Sequence, residues 1–421
     1  MTTLHISPAK LSGNIQIQPS KAVAHRALIC AALAYGCSNL SNLGDSLDMQ
    51  ATMEGLRQMG LANYYRQDAD WQIYGGLLKR KLAMVDCGES GSTLRFLLPL
   101  ALCNNVETLF TGRGRLMKRP MRPYIEALIN GGAAIEEGTD GLLAKGQLKP
   151  GLYRIPGNVS SQYITGLLLA LPLLDEPSVI KIDGPLESAD YVALTEDVQK
   201  NFGIEHIHFH QKQCIKVVPA IYRACDLRIE SDWSHAAFYL VAGFLGADIC
   251  CQGLRQDSKQ GDKRICDILQ DMGGCLSTME NGIKISAQDY RPTVIDAAQI
   301  PDLVPILAVA ACAVEGETRI INAARLRLKE SDRLAAISEG IRALGGDIRE
   351  TEDGLLISGK GYLRGGAASA WGDHRIAMAL AIATSICQQE VLLHGCETVA
   401  KSAPYFWQEF YALGGNTYEY V

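Results

Sequence analysis

The chain has 421 residues, 48% hydrophobic and 20% charged, a globular composition that excludes an intrinsically disordered polymer. Its formal net charge of -6 argues against a broad nucleic-acid footprint, although a cleft can still gather basic residues around an anionic substrate. The N-terminal MTTLHISPAK lacks a basic segment leading into an apolar one, and the apolar runs at 164–174 and 303–314 fall short of the ~20 residues of a membrane span, so a cytoplasmic location is expected.

Taken in chain order, the predicted elements repeat. Strongly apolar segments begin near Ala27, Leu94, Ile164, Ala236, Leu303 and Ile376. All are rich in Ala and Leu and apolar nearly all round, which predicts six buried helices. Each is followed by the end of an amphipathic helix, a glycine and a strand-like start: LRQMG, LINGG, QKNFG, LQDMGG, RALGGD and YALGGN. The aligned glycines are Gly60, Gly131, Gly203, Gly273, Gly345 and Gly414, spaced by 69 to 72 residues, and each is expected in the left-handed position that ends a helix. Six repeats of about seventy residues, each with two helices and short strands, make an α/β chain.

A polar cluster stands at the start of each apolar helix: SKAVAHR (20–26), ESGSTLR (89–95), SSQ (160–162), SDWSH (231–235), QIPD (299–302) and GDHR (372–375). A single such cluster reads as a helix cap. Six in phase, carrying Lys, Arg, His and Asp, read as anion-binding helix N-termini, three from each half aimed at a common cleft. Two basic stretches, RGRLMKRPMR (113–122) and ARLRLKESDR (324–333), suit a small polyanion better than a nucleic acid, because aromatic interleaving is absent.

Other chemistries are not supported. No GxxxxGK[ST] is present, and in GESGS the glycine directly follows Ser90, which is the wrong spacing for a nucleophile elbow. His206, His208 and His210 alternate on a predicted solvent-facing strand without neighbours that complete a metal shell. Thirteen cysteines without a C-x-x-C are expected as mostly buried, reduced thiols.

Together PSK-x4-RAL (19–28), SGSTLR (90–95), MKRP (117–120), VSSQ (159–162), LKESDR (328–333), GDHRIAM (372–378) and AKSAP (400–404) resemble the 5-enolpyruvylshikimate-3-phosphate synthases from about Ser12 to Phe410. The resemblance implies two domains, 18–224 and 1–17 with 225–421, each of three βαβαββ repeats with buried parallel helices: an inside-out α/β barrel. It implies enolpyruvyl transfer from phosphoenolpyruvate to shikimate 3-phosphate, in a monomer inhibited by glyphosate, without cofactor or metal and with no nucleic-acid or membrane partner. By the same resemblance Lys21, Asp302, Glu330 and Lys401 are catalytic. Lys21, Arg26, Ser160, Ser161, Gln162, Ser188, Asp302 and Lys329 bind shikimate 3-phosphate. Lys21, Gly91, Arg119, Gln162, Arg333, Arg375 and Lys401 bind phosphoenolpyruvate.

The chain departs from the family pattern at Ala22, which lacks a hydroxyl, at His25 and Glu89, each in place of Asn, and at Arg325. A UDP-N-acetylglucosamine enolpyruvyl transferase of the same fold would carry a cysteine in the 113–120 loop, and none is there. A non-catalytic anion-binding protein of this fold would have no need of Lys21, Asp302, Glu330 and Lys401 together.

Overall fold

The structure, a computed structural model, describes residues 2–67, 70–76, 80–139, 141–209 and 213–419. It comprises two compact units: a continuous one, Pro19–Glu230, and a split one, Met1–Gln18 with Ser231–Val421. The continuous unit holds α1 (Lys21–Leu33), α2 (Leu47–Gln58), α3 (Gly91–Cys103), α4 (Arg122–Asn130), α5 (Ser161–Ala170) and α6 (Ala189–Asn201). The split unit holds α7 (Trp233–Phe244), α8 (Ile265–Asp271), α9 (Val304–Cys312), α10 (Arg333–Ala343), α11 (His374–Ala383) and α12 (Phe406–Ala412).

The odd-numbered helices are the six apolar segments. Every residue of α9 and α11 is buried, as is α1 from Val23 onward, so these helices form the two cores. The even-numbered helices bury one face, as α2 does through Met49, Thr52, Gly55 and Leu56. Five of the six aligned glycines take the expected left-handed conformation, from Gly60 (φ 72°) to Gly414 (φ 93°). The second repeat differs. Gly131 is right-handed at φ -78°, and its neighbour Gly132 carries the positive φ of 104°. Gly131 is needed for space instead, since a Cβ there would lie 2.6 Å from the Tyr153 ring.

The sheets repeat as faithfully as the helices. Among the described residues there are six four-stranded sheets of one plan. In the second repeat Leu82–Asp86 runs parallel to Glu107–Thr111, which pairs antiparallel with Gly141–Gly146, which pairs antiparallel with Ala133–Gly138. Three repeats borrow a strand from elsewhere in the chain. Leu227–Arg228 supplies the first strand of the first repeat, parallel to Gly36–Ser41. Ser12–Gln16 does the same for the fourth, beside Asp248–Gln252. Thr3–Ser7 lies between Val391–His394 and Asn416–Glu419 and completes the sixth. Each unit is thereby closed by its own ends. These pairings also set the limits of the units. Residues 225–230 stay with the continuous unit through the Leu227–Leu40 pairing, and Gln18 stays with the split unit, where its amide donates to the Ser402 carbonyl at 2.9 Å.

Helix α5 approaches α3 through Gly166, where a Cβ would sit 2.4 Å from the Arg95 carbonyl oxygen and 2.3 Å from the Tyr124 hydroxyl. Backbone cannot step aside as a side-chain end can. Gly166→Ala is therefore expected to destabilise the continuous unit by about 1–3 kcal/mol, the usual cost of overpacking, and to lower its urea midpoint. An unchanged midpoint would show that the two helices separate freely.

Candidate active site

In the continuous unit the three apolar helices begin on serine caps. The Ser20, Ser90 and Ser160 hydroxyls accept from the N–H groups of Val23, Thr93 and Gln162. A hydroxyl cap satisfies one orphan donor without neutralising the positive helix end. Around the start of α3 three expected residues come together. A Cβ at Gly91 would lie 3.0 Å from an Arg119 guanidinium nitrogen and 3.5 Å from Gln162 Oε1. The Gln162 amide also donates to the Ser92 hydroxyl at 3.0 Å. One residue absent from the expected set joins them: Arg95, whose guanidinium donates to Gln162 Oε1 at 2.6 Å and stands over the Tyr163 ring. It is four residues from Gly91 in SGSTLR, so helical spacing alone places both on one face.

Lys21, the first residue of α1, pairs with Asp48 at 2.8 Å. Beside it a buried chain of polar groups runs from His25 Nδ1 through the hydroxyls of Thr52 and Thr93 to Ser90. Burial lowers the His25 pKa to about 3, with Asp48 opposing and Lys21 and Arg26 assisting, so this histidine is neutral in the working range. Arg26 is 3% exposed and spends its donors inside the protein, on Thr195, Thr165 and the carbonyls of Ala22 and Tyr191. It ties α1 to α5 and α6, and its guanidinium stands over the Phe96 ring of α3 at 5.3 Å. Ser161 opens α5, and Ser188 precedes α6 with φ 55°, a left-handed conformation uncommon for serine. Ala22 and Glu89 flank the same helix starts, and Glu89 lies against the backbone of Gly114 in the basic loop.

The split unit concentrates charge instead. Arg333, only 2% exposed, donates through Nε to Asp373, through one amino group to Asp302 and through the other to Glu330, each at 2.8 Å. Asp373 caps α11, accepting the Arg375 N–H at 2.9 Å, and also receives the Ser331 hydroxyl. Asp302 is shared with Arg375 at 2.9 Å, and Glu330 lies 3.6 Å from Lys401 Nζ. Burial raises the proton affinity of Asp302, but Arg375, Lys329 and Arg333 outweigh it and hold the carboxyl well below the usual carboxylate range. Burial draws Lys329 down to about 8, opposed by Asp302 and Glu330 and assisted by Arg325 and Arg333. Thus Asp302, Lys329, Glu330, Arg333, Arg375 and Lys401 form one linked group, with Asp373 as a member that was not expected. The Arg325 guanidinium reaches the Ala298 carbonyl at 2.6 Å.

As expected, the strand Ile207–Phe209 is exposed at every position, and His206 lies just before it, half-buried. His206 and His208 turn toward α6, bonding Gln199 at 2.9 Å and Glu196 at 2.6 Å, while His210 lies outside the described residues. Among the described residues no group of three His, Cys, Asp or Glu could hold a metal ion. Most of the thirteen cysteines are buried, and all are free thiols.

Residues 6–410 match a family model described as EPSP synthase (3-phosphoshikimate 1-carboxyvinyltransferase). The chain is 45% identical to a 3-phosphoshikimate 1-carboxyvinyltransferase of Clostridium kluyveri, covering 100% of this chain and 99% of the relative. It is 44% identical to that of Clostridium perfringens, over 99% of each, and 42% identical to that of Clostridioides difficile, over 100% and 99%. Among solved structures, an EPSP synthase from Acinetobacter baumannii matches with a TM-score of 0.83 at 26% identity, covering 100% of both chains.

Removing Arg333 would leave three carboxylates facing one another. Arg333→Ala should destabilise the split unit by about 3–5 kcal/mol, the range for breaking a buried pair from one side. Since the Asp302 pKa is depressed on folding, its stabilisation is present above the ordinary carboxylate range and lost as pH falls through it. The wild-type unit should therefore weaken on acidification, and the Arg333→Ala protein should do so less. Thermal melting between pH 3 and about 7 measures both.

Proposed function

The chain belongs to the EPSP synthase family, and on that premise we propose that it transfers the enolpyruvyl group of phosphoenolpyruvate to the 5-hydroxyl of shikimate 3-phosphate, releasing phosphate. The observation that supports this reading best is the Arg333 group. It sets two carboxylates with different partners, Asp302 and Glu330, beside a lysine each, with arginines between them.

The reaction moves two protons and passes through a tetrahedral phospho-ketal. The 5-hydroxyl oxygen bonds to C2 of phosphoenolpyruvate and loses its proton, while the methylene carbon gains one. The intermediate then expels phosphate and returns a methyl proton. We assign Asp302 to the hydroxyl and Glu330 to the methylene. With its cations around it Asp302 is ionised but a weak base. Anionic substrates drawing on Arg375, Arg333 and Lys329 would raise its proton affinity when the hydroxyl arrives. Lys401, beside Glu330, and Lys21, held by Asp48, are assigned to charge on the intermediate and the leaving phosphate.

Lys21, Arg26, Ser160, Ser161, Gln162, Ser188, Asp302 and Lys329 are assigned to shikimate 3-phosphate. Lys21, Gly91, Arg119, Gln162, Arg333, Arg375 and Lys401 are assigned to phosphoenolpyruvate. The convergence of Gly91, Arg119 and Gln162 supports the second set. For Arg26 the substrate would have to compete with the Thr195, Thr165 and carbonyl acceptors that its guanidinium donors now engage. No helix among the described residues is long and apolar enough to cross a membrane. We read the protein as a cytoplasmic monomer that needs neither cofactor nor metal.

Purified protein should release phosphate from phosphoenolpyruvate only with shikimate 3-phosphate present. Turnover with UDP-N-acetylglucosamine instead would overturn the assignment. Asp302→Ala and Glu330→Ala should each lower kcat by about 10²–10⁴-fold, the usual worth of acid–base catalysis, with a smaller effect on KM.

Gly91 tests the inhibitor. A methyl at Gly91 would meet guanidinium nitrogens of Arg95 at 2.7 Å and Arg119 at 3.0 Å, and both are flexible ends that can shift. Gly91→Ala should fold normally, weaken glyphosate strongly and raise the KM for phosphoenolpyruvate to a lesser degree. Equal inhibition of both proteins would remove Gly91 from the phosphoenolpyruvate site.

A further inference from the structure

One carboxyl of the split unit has no place in the scheme above. Asp262 lies in the turn Gly261–Arg264 that leads into α8 and is 2% exposed. One of its oxygens takes the Ser234 hydroxyl at the start of α7. The other is buried with no hydrogen-bond partner. The groups facing it are Asp232 and Ser234 from the start of α7, Asp302 from the turn before α9, and Arg375 from α11. Two of the three charges are negative, and the cation is already bonded to Asp302 at 2.9 Å.

An ionised carboxylate with one bare buried oxygen and two anionic neighbours is costly, and a proton removes that cost. We propose that Asp262 is a positioning residue that holds a proton beside Asp302 and thereby leaves Arg375 to Asp302 and to the incoming anion. Were Asp262 ionised, it would compete for Arg375 and add a negative charge where phosphoenolpyruvate is assigned to bind. The burial that isolates it, reinforced by Asp302, raises its pKa to about 7, with Arg375 and Ser234 opposing and Asp232 assisting. The sign follows. A carboxyl whose folded pKa is raised contributes stability that is full below the unfolded carboxylate range and lost as pH rises through about 7.

The role assigned to Arg375 rests on the enolpyruvyl-transfer reading, but the proton on Asp262 does not, so the test has two arms. In the first, stability is measured by urea unfolding from pH 5 to 8.5, without substrates. Wild type should lose stability across this range relative to Asp262→Asn, which keeps a group able to bond Ser234 but cannot ionise. Parallel curves overturn the proposal whether or not the protein is active. In the second, the KM for phosphoenolpyruvate should rise in wild type above about pH 7, by at most about tenfold per pH unit for one proton, and Asp262→Asn should lack that inflection. The same inflection in both proteins overturns the positioning role. Should Asp262→Asn fail to fold, Ser234→Ala decides: losing the hydroxyl that lowers the Asp262 pKa should move the inflection to higher pH, and an unmoved inflection overturns the proposal.

Discussion

A guanidinium that is 2% exposed keeps its charge without strain only where its donors find acceptors, and around Arg333 this requirement organises the charged residues of the split unit. Asp302, Glu330 and Asp373 come from three different stretches of chain, yet each meets the same side chain at 2.8 Å. Through Asp373 the arrangement reaches the cap of α11 and hence Arg375; through Glu330 it reaches Lys401. Such a network is weak evidence for stability, because well-packed apolar residues of similar volume often serve a core equally well. A buried cluster of this cost is better explained by chemistry that needs charges already oriented when a substrate arrives.

The two units begin their apolar helices with different charge. In the continuous unit the helices α1, α3 and α5 all start on serine, so their positive ends remain available to a ligand. In the split unit α7 and α11 start on aspartate, which answers the helix end with a full negative charge. Cations gather there instead, with Arg333, Arg375, Lys329 and Lys401 set among the carboxylates. The helix α9 has no side-chain cap at all. The aspartate directly before its N-cap Leu303, Asp302, bonds Arg333 and Arg375 instead of a backbone N–H. The fifth repeat thus gives up a cap and gains a carboxylate whose partners are the residues of the proposed chemistry.

Much of this was legible without coordinates. Six apolar stretches in a constant phase announced six buried helices, because a helix apolar on every side has nowhere to go but inside. The clusters at their starts held Asp302 and Arg375, whereas Glu330, Arg333 and Lys401 were joined to them only through the resemblance to the EPSP synthases. Arg95 was within reach of the same reasoning, being one helical turn from Gly91. One inference failed locally. Gly131 and Gly132 adjoin, and only the packing of Tyr153 against the first decided which one turns left-handed. The exposed strand at His208 was legible as such, but the bonds of His206 and His208 to Gln199 and Glu196 were not, because those partners belong to a helix pattern read separately.

The sequence by itself determined the repeat, the fate of its apolar helices and the residue types at their starts, because those follow from periodicity and from the cost of leaving apolar surface in water. Only the tertiary structure decided which strands complete which sheets, for Leu227–Arg228, Ser12–Gln16 and Thr3–Ser7 are remote in the chain from the repeats they close. It alone decided that Arg26 is spent inside its unit, that Arg333 is shared by three carboxylates, and that Asp262 has an oxygen with no partner. The physical reason is common to all of these. Periodicity specifies which face of an element is buried, whereas the pairing of a polar group depends on what lies opposite it, and residues far away in the chain supply that.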